Sequence, residues 1–314
     1  MSNQASFYSL AHKKKLKSER FLDEMTKVIP WDDICHLIQP YYRESEIGRK
    51  KTDLLLLLKI YFLQQWFNLS DPAVEEWVYD RISFQKFLNI DLMDGSPDET
   101  TILNFRHLLE KHELPKKIFK LINGLLEKAG LLLKEGTIVD ATIIAAPSST
   151  KNKDKKRDPE MSSTKKNNNY HFGMKAHIGV DTKHGLVHSL EATTAKDSDI
   201  GQLENLLHKE EKSIFGDKAY GRQADKRAAR KAGIFYGITD KGTCVKKLSN
   251  KQKARNRKTS SVRSKVEHPF HTLKCKWGYR KTRYRGIFKN KMQLFTIFAL
   301  GNIFRVRKSL LCTT

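Results

Sequence analysis

One carboxylate lies inside an almost entirely apolar, β-branched run. Residues 136–146 read Gly-Thr-Ile-Val-Asp-Ala-Thr-Ile-Ile-Ala-Ala, with Asp140 near the middle. Such a run is typical of a strand that is buried on both faces, where an unpaired charge is costly. Asp140 is therefore expected to accept hydrogen bonds from backbone amides, to pair with an arginine, or to bind a metal ion. The run alone does not decide among these alternatives.

Asp217 is a second candidate, because it ends a short predicted strand. Residues 213–217 read Ser-Ile-Phe-Gly-Asp and precede a predicted helix at 221–232. Strands that alternate with helices in this half of the chain predict a mixed α/β sheet. Three other acids are weaker candidates, since each occupies a predicted turn or helix start: Asp181, Asp197 and Asp199.

Glu267 is a third candidate, because it is isolated among cations. It is the only acidic residue between Lys246 and Lys291, a segment that holds 17 Lys and Arg. On a helix predicted from about 259 to 274, Arg263 lies one turn before Glu267 and Lys274 lies seven residues after it, so all three share one face. This face is either a helix-stabilising Arg–Glu pair worth ~0.3–0.5 kcal/mol, or a metal-binding carboxylate with two cations for phosphates.

Three carboxylates favour a hard cation over a soft one. Oxygen ligands suit Mg²⁺ or Mn²⁺, which use few protein carboxylates and complete their coordination with water and phosphate oxygens. Two such ions ~3.5–4 Å apart can activate a nucleophilic water or hydroxyl and stabilise the leaving oxygen. His171 and His177 share one strand-like segment and are expected to decorate its polar face instead of binding metal. The spacing of the acids does not by itself single out the three.

The composition indicates a polyanionic partner. The 314 residues carry a formal net charge of +24, and a field of this size implies nucleic acid. The best apolar run, residues 54–67, contains Lys59 and falls short of the ~20 residues that span a membrane. No secretory signal is visible, and the four scattered cysteines form no Cys-x-x-Cys pair. We therefore expect a cytoplasmic protein that associates with DNA and has no membrane partner.

The final third of the chain interleaves aromatic side chains with cations. Trp277 and Tyr279 stand among Lys276, Arg280 and Lys281. Mixing of this kind suits contact with phosphates and with unpaired bases. The residues expected to contact DNA are Arg263, Lys265, Lys274, Trp277, Tyr279 and Arg280.

The composition of the sequence and the spacing of its apolar residues divide the chain into three parts. Residues 1–20 are polar and basic and predict a flexible arm. Residues 21–130 have helical spacing throughout and predict about five helices, which form either a DNA-docking module or a structural cap. Residues 131–314 are expected to form the mixed α/β domain, with a basic flexible loop at 147–169.

Taken together, these blocks resemble bacterial insertion-sequence transposases of the DDE type, most closely the insertion-sequence-five group. The resemblance spans nearly the whole chain. It rests on Pro97-Asp-Glu-Thr-Thr-Ile102, Val139-Asp-Ala-Thr142, Gly173-Met-Lys-Ala-His-Ile-Gly-Val-Asp181, Gly216-Asp-Lys-Ala-Tyr-Gly221 and Arg263-x-x-x-Glu267-x-x-x-x-x-x-Lys274.

The resemblance implies a ribonuclease-H-like catalytic core in which Asp140, Asp217 and Glu267 hold two divalent ions. It also implies that Arg263 and Lys274 contact terminal phosphates. One position departs from the pattern, since related elements often carry Tyr where this chain has Ser260. The base-contacting aromatic is therefore open, with Trp277 or Tyr279 as substitutes.

Three functions are compatible with these residues. The first is a transposase, acting as a homodimer or a higher oligomer, that cuts DNA at inverted-repeat ends and joins the freed 3′ ends to target DNA by two-metal phosphoryl transfer. The second is a nuclease of the same fold that cleaves without joining. The third is a DNA-binding repressor whose acids are vestigial.

Overall fold

The computed structural model describes residues 15–42, 51–91, 95–153, 155–166, 168–240, 242 and 247–313. Across these ranges, no helix is long and apolar enough to cross a membrane. The described chain divides into two compact units. Unit 1 contains the residues up to Gln64, Leu69–Leu108 and those from Val306 onward, and unit 2 contains Gln65–Asn68 and Leu109–Arg305.

Unit 1 is helical. Its helices are α1 (Lys17–Val28), α2 (Trp31–Ile38), most of α3 (Leu54–Phe67), α4 (Asp71–Asp80), α5 (Ile82–Leu88) and most of α6 (Glu99–Lys111). Asp71 ties three of these helices together: its carboxylate accepts a hydrogen bond from Gln64 at 2.8 Å and lies 3.0 Å from the buried guanidinium of Arg106.

Two expectations for the front of the chain need correction. The predicted arm covers residues 1–20, yet α1 already begins at Lys17, while residues 1–14 lie outside the described ranges. Seven helices begin before residue 129 in the described residues, where about five were expected. The seventh, α7 (Leu114–Lys128), belongs to unit 2 and not to the front unit. Its ring of Phe119 packs 5.5 Å from that of Phe295. The spacing of apolar residues indicates that one face of a helix is buried, but it does not show in which unit the helix packs.

Unit 2 is built on one mixed sheet. Its strands are β1 (Gly136–Ala145), β2 (Ser162–Lys166), β3 (Asn169–Asp181), β4 (Val187–Thr194), β5 (Ser213–Gly216) and β6 (Phe235–Ile238). The order is β2-β3-β1-β5-β6, and β4 pairs with the remainder of β3. β1 runs antiparallel to β3 and parallel to β5, and residues 136–139 and Ile144 are buried whereas residues 140–143 are partly exposed. This mixed sheet with flanking helices, preceded by a helical region, confirms the predicted fold class.

The predicted loop at 147–169 is partly a β-hairpin. Ser162–Lys166 form β2, and β3 begins at Asn169. Neither strand has an apolar alternation at this end, so the sequence carries no hydrophobic signal for them. The turn is favoured by Asn168, which has a φ of 66°, a left-handed conformation that asparagine tolerates.

The helix predicted at 259–274 is interrupted. After α8 (Leu203–Leu206) and α9 (Gln223–Lys231), the chain forms α10 (Asn250–Arg263), a 3₁₀ turn at Ser264–Val266, α11 (Glu267–His271), a π turn at Thr272–Lys276 and α12 (Ile287–Thr313). Pro269 explains the break, because proline has no N–H and its ring clashes with the carbonyl four residues earlier. Arg263, Glu267 and Lys274 therefore lie on different segments and not on one regular helix face.

Candidate active site

Asp140 and Asp217 project from the same face of the sheet. Ile138 of β1 is in register with Phe215 of the parallel strand β5. Two residues further along each chain stand the two aspartates, and Asp217 keeps an extended backbone with φ −79° and ψ 176°. Since side chains two residues apart in extended chain share a face, the two carboxylates lie on one face of the sheet, Asp140 in the middle of β1 and Asp217 directly after β5.

The Asp140 carboxylate is partly buried and shared between two donors. Its side chain is 23% exposed. Oδ1 accepts a hydrogen bond from the Ala141 N–H at 2.8 Å, and Oδ2 lies 3.8 Å from Arg263. Burial raises the pKa of Asp140; the Ala141 N–H, Arg263 and Lys166 oppose this rise, and nearby Asp217 adds to it. The backbone-amide and arginine alternatives drawn from the sequence are thus both met.

Arg263 and Lys274 approach the Asp140 face of β1. The Nζ of Lys274 donates to the Thr142 hydroxyl and to the Ile143 carbonyl, each at 2.7 Å. Thr142 lies two residues after Asp140 and therefore on the same strand face. The Arg263 Nε–H is buried and has no hydrogen-bond partner among the described residues. The two cations thus flank the carboxylate although the helix between them is broken.

Glu267 differs from the two aspartates. It is exposed at the first position of α11, after the 3₁₀ turn that lies against β1. In the part of the chain that the structure describes, no group of three His, Cys, Asp or Glu side chains is arranged to hold a metal ion. The structure therefore brings together two of the three predicted ligands, and the third lies on a segment whose backbone is irregular.

The carboxylates of Asp140 and Asp217 supply oxygen ligands of the kind that a hard divalent cation binds. Both have one oxygen engaged locally, because Asp217 Oδ1 accepts from the Ala219 N–H at 2.7 Å, and Asp140 Oδ1 accepts from Ala141. The second oxygen of each is the one available to a ligand. Carboxylate oxygens are the ligands that Mg²⁺ and Mn²⁺ prefer.

The predicted aromatic contacts with DNA are wrong for two residues. Trp277 is 6% exposed and Tyr279 is 1% exposed. The indole packs 6.0 Å from the ring of Phe304, and the Tyr279 hydroxyl donates to Asn290 at 3.3 Å. Both side chains belong to the core of unit 2. Interleaved cations and aromatics cannot show which of them point outward.

The remaining predicted DNA contacts have local partners. Lys265 donates to the Thr182 carbonyl at 2.6 Å, in the turn between β3 and β4. Arg280 is exposed, and its Nε donates to the Lys274 carbonyl at 3.0 Å. Arg280 thus keeps its other donors at the surface beside Lys274, whereas Lys265 mainly fastens α10 and α11 to the sheet.

Two residues near the site escaped the sequence interpretation. Thr142 receives Lys274, and its position two residues after Asp140 was a usable signal. Lys166 lies close enough to lower the pKa of both Asp140 and Lys274, and nothing in the sequence connects it with them.

His177 lies in the core, and the prediction that it occupies the polar face of its strand is wrong. It is completely buried, its Nε2 lies 2.8 Å from the Thr193 hydroxyl, and burial lowers its pKa to about 4. Asp199, which begins a 3₁₀ turn as its predicted helix-start role suggests, lies 3.8 Å from the ring and 3.0 Å from Lys175. This polar cluster lies on the face of the sheet opposite Asp140, because His177 pairs with Ala141.

Comparison with known families agrees with this geometry. The family described as Transposase DDE domain matches residues 132–303, more than half of the chain, and the chain belongs to this family. A second family, Transposase domain (DUF772), matches residues 10–108. The protein is therefore a DDE-type DNA transposase with a mixed α/β catalytic domain, and the family implies dependence on a divalent metal.

Among solved structures, the chain is similar to the Mos1 strand transfer complex. The two share 12% sequence identity over 77% of this chain and 82% of that chain, with a TM-score of 0.20. At this TM-score the likeness adds nothing to the fold assigned from the sheet order and the family.

Proposed function

We propose that this transposase cleaves DNA at the inverted-repeat ends of its element and joins the freed 3′ ends to target DNA. Both steps are in-line displacements at phosphorus, so one site can serve both. In cleavage, water attacks and a 3′ hydroxyl leaves. In joining, that hydroxyl attacks a target phosphodiester and a target 3′ oxygen leaves.

The observation that carries this proposal is the convergence of two carboxylates and two cations on one strand face. Asp140 and Asp217 come from neighbouring parallel strands, and Arg263 and Lys274 meet the same face from the segment after β6. A helix-stabilising Arg–Glu pair would not require either cation to contact β1. Positioned cations beside paired acids are what phosphoryl transfer requires.

Asp140, Asp217 and Glu267 are the residues that would hold two Mg²⁺ or Mn²⁺ ions. When bound, such ions would favour the attacking oxygen and the leaving oxygen of a displacement. Burial of Asp140 supports this role. The raised pKa of Asp140 indicates that the protein groups around the carboxylate do not fully stabilise its negative charge. Glu267 would join the aspartates through a shift of the irregular segment 264–276.

Arg263 and Lys274 would hold the phosphates. An ammonium has three N–H donors, and Lys274 directs two of them to Thr142 and Ile143, which leaves the third for an anion. The buried Arg263 Nε–H has no partner among the described residues, and an unmet buried donor costs about 1–3 kcal/mol. A phosphate oxygen would satisfy this donor and would fix the scissile group beside the carboxylates.

Recognition of the ends is assigned in this proposal to the helical unit. The second family match, residues 10–108, ends where unit 1 gives way to unit 2 at Leu108. This boundary replaces residue 130 as the limit of the recognition module. The active complex would be a homodimer or a higher oligomer working in the cytoplasm on chromosomal DNA.

The proposal is tested with a supercoiled plasmid that carries the gene and its flanking DNA. Metal-dependent nicking at the element ends, followed by transfer into a second plasmid, is the expected result. Nicking without transfer would leave a nuclease, and specific binding without nicking would leave a repressor. DNA binding should also weaken about 10³–10⁵-fold between 50 and 200 mM salt if roughly 6–10 phosphates are contacted.

A further inference from the structure

The β2–β3 hairpin extends beyond the sheet that carries the active site. Pairing between β1 and β3 ends at Ala145 and Gly173, and the Ala146 N–H still donates to the Phe172 carbonyl at 2.8 Å, so residues 163–166 and 169–171 continue as a two-stranded hairpin. Gly173 permits the close approach of the two strands at this point, because a Cβ there would collide with the carbonyl oxygen of Ile144. The hairpin therefore projects past the end of β1 as an arm of defined register.

Tyr170 is the most exposed of the large hydrophobic side chains in the described residues. It is 77% exposed. Its cross-strand neighbour Lys165 places Nζ 5.6 Å from the ring centroid, which keeps a cation beside the aromatic face. A single exposed aromatic needs no explanation on its own. Here the ring is combined with cations on an arm, and that combination is typical of nucleic-acid contact.

Lys166 adds a second exposed cation at the turn end of β2. Because side chains alternate along a strand, Lys166 and Tyr170 lie on opposite faces of the hairpin. A phosphate backbone that contacts Lys166 would thus leave the ring on the other face for a base turned away from that backbone.

Nearby acids do not cancel this charge. Asp158 accepts from the Gly286 N–H at 2.6 Å, and Glu160 accepts from the Ile287 N–H at 2.8 Å. Both acids are turned toward the start of α12. Arg157 lies over the Phe172 ring at 5.3 Å, which adds a further cation at the base of the hairpin.

We propose that the β2–β3 hairpin is a DNA-contacting arm in which Tyr170 stacks on an unpaired base and Lys165 and Lys166 contact the flanking phosphates. This inference rests on the proposed function for the identity of the DNA, but stacking does not require the chemical step. Aromatic stacking accepts any base, so the arm recognises an unpaired nucleotide and not a sequence.

The experiment measures binding of two labelled duplexes by fluorescence anisotropy, one fully paired and one with a single unpaired adenine. Tyr170→Ala is expected to weaken binding of the unpaired-base duplex by roughly 5- to 100-fold and to leave the paired duplex unchanged. Tyr170→Phe should retain the wild-type preference, because stacking needs the ring and not the hydroxyl. Replacing Lys165 and Lys166 together by alanine should weaken both duplexes and reduce the salt slope by about two.

Phe235→Ala is the matched control, since Phe235 is an exposed aromatic at 51% on the far edge strand β6. It should bind both duplexes as the wild type does, with melting curves recorded for every variant. Equal binding of the two duplexes by wild type and Tyr170→Ala would overturn the inference, as would the same loss in Phe235→Ala. A nicking assay on the wild-type protein distinguishes the two proposals. Absence of nicking would contradict the proposed function. A preference for the unpaired-base duplex that does not depend on Tyr170 would contradict only the DNA-contacting arm.

Discussion

The acids of the proposed active site are held in two different ways. Asp140 lies within β1 and Asp217 directly follows β5, and the parallel register of these two strands fixes the acids relative to each other. Glu267 begins a five-residue helix between a 3₁₀ turn and a π turn, and it is exposed. Strand hydrogen bonding thus fixes two of the three proposed ligands, whereas the third comes from a segment of changing helical geometry. We expect the pair to be preorganised and Glu267 to be the adjustable member.

The largest expected effect is loss of either strand acid. Asp140→Asn and Asp217→Asn should each lower cleavage by at least about 10³-fold while DNA binding persists, because several kcal/mol of charge stabilisation disappear. Asp217→Glu should fail equally, since a fixed strand cannot retreat from a longer side chain. Single-turnover cleavage at saturating DNA and metal is the measurement. Glu204→Gln, an exposed acid on α8, is the control.

The next effect concerns the cations on the same face. Lys274→Ala and Arg263→Ala should slow the chemical step by roughly 10²–10³, as for other preorganised donors. Lys212→Ala, a 77% exposed lysine of the same unit, should leave the rate unchanged. Wild-type rates in both cation variants would reduce Arg263 and Lys274 to packing residues of β1.

A smaller effect distinguishes the adjustable acid from the fixed pair. Glu267→Gln should abolish cleavage, but Glu267→Asp should retain about 10⁻² of the wild-type rate, because the irregular segment can shift to offset part of the shortening. Hydrogen exchange gives a second reading: adding Mn²⁺ should protect amides of 264–276 more than those of β1. Equal tolerance of Asp217→Glu and Glu267→Asp would erase the distinction.

The smallest effect is on stability. Burial raises the pKa of Asp140, so the folded protein keeps a proton that the unfolded chain has already released. Wild-type stability should therefore fall, relative to Asp140→Asn, as the pH rises from the ordinary carboxyl pKa through the raised one. Above that pH range, the melting temperature of Asp140→Asn should lie within a few degrees of the wild-type value or exceed it. Loss of the Asp140–Arg263 ion pair acts in the opposite direction and lowers the melting temperature of the variant. Thermal melts across the pH range test the sign.

The positions of the two strand acids could be predicted from local signals, an aspartate within a β-branched run and another at the end of a short apolar strand. Their role as metal ligands came from the resemblance to the transposase family and stays a prediction. The helix around Glu267 was predicted, but its change to 3₁₀ and π geometry was not, although Pro269 was a readable warning of it. The contacts of Arg263 and Lys274 with β1 depend on folding and had no local signal.

Other features had no local signal. The polar β2 strand lacks apolar alternation, and its pairing depends on β3. Trp277 stands in a basic segment of the sequence, yet its ring packs against Gly301 of α12, 3.9 Å from the position that a Cβ on this glycine would occupy. Contacts across such sequence separations decide which aromatic faces water. The exposed ring, Tyr170, stands instead directly after the stretch 147–169 that was expected to be loop.

The discontinuity of unit 1 has a consequence for synthesis. This unit includes the residues from Val306 onward, and Arg307 lies 2.7 Å from Glu24 within it. Domains generally fold as units while the chain emerges. Here the front unit cannot be completed until the ribosome has passed Val306, so the sheet with Asp140 and Asp217 can assemble first. A nascent chain would then hold a nearly finished catalytic core before its proposed end-recognition unit closes, so that productive DNA capture has to wait until the residues after Val306 have left the ribosome.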